Sequence, residues 1–324
     1  MRKQLVAWGL LDAQRMTASR GLDAHLTDWQ GSLRAKGITP KRVHQVTTRA
    51  RRVFEGCGFR TWGDVNAADV AAFLAKLRED KAGADGTVKR GISKQTSNFY
   101  LQAARQFCGW MVRQKRASDN PLADLQGLNA RTDLRHERRA LTVEEFRRLL
   151  SVTKQGPERY GIGGPERALL YRVAVETALR ASELRSLTPL SFALHGKSPS
   201  VTVSAASAKN GHEARLDLRP ATAALLRGHL RGKLPTAPAF NMPEAYHQAR
   251  MLRADLEAAG LPYRDGAGRF ADFHSLRHTC GSWLAAGGAH PKTIQRIMRH
   301  STITLTLDRY THAFVGDEAA AIGK

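Results

Sequence analysis

The chain has 324 residues, 42% of them hydrophobic, with 51 Lys+Arg against 29 Asp+Glu and a formal net charge of +22. No run approaches the roughly 18 apolar residues of a membrane span, and the opening "MRKQLVAWGLLDAQ" lacks the cleavage site of a secretory signal. The three cysteines, Cys57, Cys108 and Cys280, stand singly, which excludes a disulfide framework and a cysteine zinc site.

The charge is spread along the chain. Up to residue 133 there are 23 Lys+Arg and 12 Asp+Glu, net +11; the remaining 28 and 17 again give +11. Both parts are therefore expected to face a polyanion, with double-stranded DNA as the leading partner and a cytoplasmic, nucleoid-associated location. An anionic membrane would instead call for one basic amphipathic helix, so no membrane partner is expected.

Residues 1–20 form an extension to which the sequence gives no role. Residues 21–125 read as an all-α bundle. Leu22, Leu26, Trp29 and Leu33 have helical spacing closed by Gly37. A second helix starts at Pro40, a third after Asn66 as N-cap, and a longer fourth runs from "SKQTSNFY" to "DNP" at 119–121. Basic residues gather at Lys41, Arg42, Arg49 and Arg52, and again at Lys89, Arg90 and Lys94; as a set they are expected to touch DNA. Residues 126–139 are polar and aperiodic, a linker. The second domain, 140–324, opens on Thr142 and Glu145, spaced as a capping box.

That second domain mixes element types. "ERALLYRVAVETALRASELRSL" (166–187) reads as one helix with Arg180 and Glu183 on one side of it. "SVTVSA" and "ARLDL" alternate like strands around "KNG" at 209–211, a hairpin signal that puts Lys209 at the tip. The rest is helical, with Pro291 at a helix start. The fold class expected is mainly α, with a small β-sheet or hairpin in the C-terminal domain.

Three clusters carry chemistry. In "HSLRHTCGSWL", at about 100° per residue, His274, Arg277, His278 and Gly281 share one face, and Leu276, Cys280, Trp283 and Leu284 the opposite one. Two histidines at i, i+4 also suit zinc. The glutamate of HExxH is missing, however, and Arg277 would repel a cation, so no metal is expected. An arginine among apolar neighbours needs a partner, which Glu183 supplies to Arg180, aiming a planar fork at a phosphate. "HSTITLTLDRYTH" adds His300 and Tyr310.

Taken together, "TALRASEL", a hairpin lysine, "HSLRHT", "HST" and "YTH" resemble, in order and spacing, the signature of the tyrosine recombinases, the phage integrase family. The resemblance spans most of residues 134–314, and the basic helical half is similar to that family's core-binding domain. It implies a two-domain C-shaped clamp on DNA. Arg180 and Arg277 would grip the scissile phosphate, Lys209 would act as general acid, and His274 and His300 would assist. Tyr310 would be the nucleophile, with Glu183 and His278 in support. Two departures stand out: Ala178 and Arg299 occupy positions where many relatives carry glycine. About fourteen residues follow Tyr310, so a C-terminal segment exchanged between subunits would be short.

The implied function is site-specific recombination through a covalent 3′-phosphotyrosine, with no cofactor, metal or ATP. Two arginines near Tyr310 are expected to lower the cost of its phenolate. The implied assembly is a homo-tetramer on DNA, a dimer per site, with an accessory DNA-bending factor as a further partner. Alternatives are a type IB topoisomerase-like strand transferase and a non-catalytic DNA-binding protein on a recombinase scaffold.

Overall fold

A computed structural model describes residues 20–83, 85–207 and 211–310. The extension before Arg20, the Lys209 turn and the residues after Tyr310 lie outside the described residues. The chain divides into two compact units, Met1–Arg135 and His136–Lys324.

In the first unit the helices are α1 (Leu22–Ala35), α2 (Pro40–Gly56), α3 (Ala67–Arg78) and α4 (Lys94–Arg113). Pro40 opens α2, and the Asn66 side chain caps α3 by accepting the Asp69 N–H at 2.9 Å. The core is aromatic: Trp29 and Phe54 pack on Phe107 with centroids 5.5 and 5.2 Å apart. α4 ends before "DNP". Lys115 takes φ 53°, and the Arg116 N–H reaches back to the Met111 carbonyl at 2.9 Å, a left-handed stop that needs no proline. The unit also carries a two-residue antiparallel pair, β1 (Lys81–Ala82) with β2 (Val88–Lys89).

The second unit begins with α5 (Val143–Gln155). Its Thr142–Glu145 capping box forms in both directions, at 3.1 and 2.9 Å. The expected helix over 166–187 is two: α6 (Gly164–Thr177) and α7 (Ala181–Ser186). Then come β3 (Phe192–Ala193), β4 (Ser200–Val203) and β5 (Ala214–Asp217), an antiparallel sheet in that order. Val201 faces Leu216 and Val203 faces Ala214 in the β4–β5 register, which puts Val201, Val203 and Leu216 into the core. Helices α8 (Pro220–Leu230), α9 (Ala245–Ala258), α10 (Phe273–Ala286), α11 (Pro291–Met298) and α12 (Ile303–Tyr310) complete it. No helix among the described residues is long and apolar enough to cross a membrane.

One buried polar network ties α6 to α9. Asp255, 2% exposed, accepts from Arg167 Nε at 2.8 Å, Arg159 Nε at 3.1 Å and the Tyr171 hydroxyl at 2.8 Å. Arg167 is fully enclosed. Removing the carboxylate strands a buried cation, so Asp255→Ala is expected to cost about 3–5 kcal/mol in urea denaturation. A loss within about 0.5 kcal/mol, as at an ordinary surface position, contradicts this.

Candidate active site

Two helix ends shape the site. α6 stops where Ala178 takes φ 52°, ψ 25°, and α11 stops where Arg299 takes φ 49°, ψ 47°. Both are left-handed, a conformation that costs an L-residue roughly 1–2 kcal/mol and glycine almost nothing. These are the two positions at which the chain departs from the glycines of the family it resembles. The last carbonyls of a helix lack partners within it and lie at the negative end of its dipole. Here Arg277, 4% exposed, takes them up: Nη1 donates to the Ala178 carbonyl and Nη2 to the Met298 carbonyl. Burial, then Arg180 and Arg299, push the Arg277 pKa down to about 10, with Glu183 opposing. It remains a cation at neutral pH.

The break at Ala178 also relocates Arg180. It is not inside a helix but at the N-cap of α7. Its backbone N–H donates to Glu183 Oε2 at 2.7 Å and its Nη1 to Oε1 at 3.0 Å. Glu183 is fully buried and also holds Arg299, whose Nη2 lies 2.5 Å from Oε2. Burial alone would raise the Glu183 pKa; the Arg180 N–H and the Arg299 guanidinium outweigh it and hold the carboxyl below its ordinary value. Sequence reading gives Arg299 no role. Its only sequence signal is a charged residue where glycine is usual.

Tyr310 ends α12, 1% exposed, in a small apolar cluster with Ala178, Cys280, Ile294 and Met298. Its ring stacks with those of His278 and His300, centroids 5.4 and 6.5 Å away. Gly281 makes room for it: a methyl built there would overlap Tyr310 Cζ and Oη. Burial pushes the phenol up to about 12, against the pull of Arg277 and Arg309. Arg277 and Arg309 do lower the cost of the phenolate, as expected of arginines near it, but desolvation is the larger effect and the net shift in the free protein is upward.

His274 and His300 are both held neutral. Burial, followed by Arg277, Arg309 and Arg180, takes His300 down to about 4, while its Nδ1 pairs with the Thr306 hydroxyl at 2.9 Å. His274 is a surface residue of α10, yet the protein packed around it displaces enough water, with Arg138 and Arg277 adding repulsion, to bring it to about 4 as well. The helix below His274 is fixed by Asp272, which caps the Ser275 N–H at 3.0 Å and binds Arg138 at 2.8 Å and His136 at 2.8 Å.

The structure thus gathers Arg180, Glu183, His274, Arg277, His278, His300 and Tyr310, while Lys209 lies outside the described residues. The basic residues singled out in the first unit sit apart from this cluster in sequence. On α2, Lys41, Arg42 and Arg52 are exposed and Arg49 is half-buried. Arg49 lies over the Phe99 ring at 4.8 Å and Arg52 over Tyr100 at 5.7 Å. Lys89 and Arg90 are exposed, but Lys94 is half-buried, its Nζ 2.6 Å from the Thr132 hydroxyl.

A phage integrase family sequence pattern matches residues 139–316, more than half of the chain, and the protein belongs to that family. It is similar to the tyrosine recombinase XerC of Mycobacterium sp. (strain KMS), 27% identical over 276 residues, covering 82% of this chain and 85% of that one. Its fold matches that of the Tn1549 transposon integrase, solved with a circular intermediate DNA, with a TM-score of 0.67 at 18% identity, covering 92% of this chain and 97% of the other. It also matches a lambda integrase tetramer bound to a Holliday junction, with a TM-score of 0.68 at 16% identity, covering 91% and 79%. The chain is a site-specific recombinase of the tyrosine class.

The depressed histidines make a pH signature. In the unfolded chain they titrate near 6.5, but in the site they stay neutral to about 4. Unfolding takes up protons between these values, so their contribution is whole above about 6.5 and is lost as pH falls toward 4. Wild type is expected to melt at a lower temperature at pH 5 than at pH 7, and a His274→Gln/His300→Gln variant to lose less over that interval. Identical losses contradict the assignment.

Proposed function

We infer that this protein cuts and rejoins DNA through a covalent 3′-phosphotyrosine at Tyr310, without metal or ATP. The observation that carries the reading is the gathering, within the second unit, of two fixed guanidinium groups, two neutral imidazoles and one seated tyrosine. Arg180 and Arg277 bind the non-bridging oxygens of a phosphodiester and stabilise the charge that grows on them. A metal ion commonly does this work in phosphoryl transfer; here fixed cations supply it.

The step balances without a co-reactant. The Tyr310 oxygen forms a bond to phosphorus, and the bond to the 5′ oxygen breaks. The phenol proton passes to a neutral imidazole of the pair His274 and His300. The arriving phosphate carries a negative charge that raises the pKa of these imidazoles and suits them to accept it. The 5′ oxygen leaves as a hydroxyl on taking a proton, for which Lys209 is the proposed donor. The phosphotyrosine ester retains the bond for attack by a 5′-hydroxyl of another strand. Recombination in a tetramer, with a dimer on each site, fits the same reading. The basic residues of α2 and the Lys89–Arg90 segment are proposed to hold the DNA backbone, with the steep salt dependence that phosphate contacts bring.

The test is covalent trapping. Nicked duplexes tiled across the DNA that flanks the coding sequence are incubated with protein in EDTA and run on a denaturing gel. Wild type is expected to give a stable protein–DNA adduct and Tyr310→Phe none. An adduct that persists in Tyr310→Phe, or no adduct on DNA that wild type binds, contradicts the reading.

A further inference from the structure

Arg299 has no part in the reaction as described, yet it is the least comfortable residue of the site. Its backbone holds a left-handed conformation suited to glycine. Its side chain is 7% exposed, and only Nη2 is paired, to Glu183. Among the described residues, Nε and Nη1 are buried and have no hydrogen-bond partner. A desolvated guanidinium with two unused donors is unfavourable unless an acceptor arrives. The side chain lines a recess of about 420 Å³ with Lys292, Thr293, Gln295, Arg296 and His300. Among the described residues no acidic side chain lines that recess, so the acceptor that suits it is an anion.

We propose that Arg299 is a third phosphate-directed cation of the reaction centre, donating Nε and Nη1 to the phosphate undergoing exchange. The inference rests on the reading of Tyr310 as the nucleophile. Glu183 places Arg299 on the same carboxylate as Arg180, and Arg299 lies close enough to Arg277 to depress its pKa. Arg180 and Arg277 against Glu183 give the site one net positive charge; with Arg299 it has two. A bound phosphodiester carries one negative charge and the pentacoordinate species formed by Tyr310 attack carries two. The extra cation therefore matches charge that exists only in the transition state. Such an interaction accelerates the chemical step and adds little to ground-state binding.

Arg299→Gly is a clean variant, because glycine adopts this backbone freely and the fold is retained. Its cleavage is compared with that of wild type on two duplexes that differ only at the cleavage position mapped with wild type. One carries the natural phosphodiester, the other an uncharged methylphosphonate. On the phosphodiester the variant is expected to cleave about 10²-fold more slowly while binding DNA nearly as well. On the methylphosphonate, which develops one charge fewer, the two proteins are expected to react at similar rates. Arg299→Lys, which restores a cation, recovers part of the loss. Equal rates of wild type and Arg299→Gly on the phosphodiester overturn the inference and leave Tyr310 catalysis standing. Equal slowing on both substrates also overturns it, since that marks a displaced site and not a missing charge. If wild type forms no adduct on DNA it binds, the Tyr310 reading fails and this inference fails with it.

Discussion

A guanidinium taken out of water must find acceptors, and at Arg277 that requirement organises the site. The acceptors are the carbonyls of Ala178 and Met298, at the C-terminal ends of α6 and α11. Each helix has to stop there, and each does so in a left-handed conformation at a residue other than glycine. Once α6 stops, Arg180 becomes the N-cap of a new short helix, and Glu183 closes that helix onto it. Once α11 stops, the chain turns into α12 and Tyr310 can return to the Gly281 face of α10. A continuous helix through Ala178 would remove one acceptor from Arg277 and swing Arg180 out of place.

The electrostatics of the free site are those of a resting enzyme. Tyr310 is apolar in its surroundings and its phenol is held protonated, up to about 12. His274 and His300 are both neutral, near 4. Three cations face one carboxylate. Burial raises the phenol and lowers the histidines, so proton transfer between them is uphill until an anion enters. In the proposed mechanism the DNA phosphate is that anion. It neutralises the arginines, raises the histidines and supplies the electrophile at once, which couples activation of the nucleophile to the arrival of substrate.

Much of this was legible in the sequence, and the reasons for what was not are local. The amphipathic spacing of Leu22, Leu26, Trp29 and Leu33, the Thr142–Glu145 box and the Pro291 start are patterns of side-chain chemistry, and the structure contains them. The β4–β5 pairing follows from alternation in "SVTV" and "ARLD". The break at Ala178 was invisible because alanine is a strong helix former and gives no glycine signal. The end of α4 at Lys115 was hidden for the same reason. Arg180 and Glu183 were paired correctly by spacing, but as neighbours on a helix face and not as a helix start. The two arginines near Tyr310 were visible; the desolvation that outweighs them depends on packing among Ala178, Cys280, Ile294 and Met298, residues far apart in the chain. Arg299 could be seen as a departure, but its buried, half-satisfied guanidinium exists only in three dimensions.

In the proposed mechanism one side chain, Tyr310, takes the DNA phosphate. The most direct measurement is mass mapping of the protein–DNA adduct after nuclease and trypsin digestion. Trypsin cuts after Arg309, so the peptide of interest begins at Tyr310 itself. A residual nucleotide 3′-phosphate is expected on the Tyr310 side chain of that peptide. An adduct carried by any other residue would contradict it.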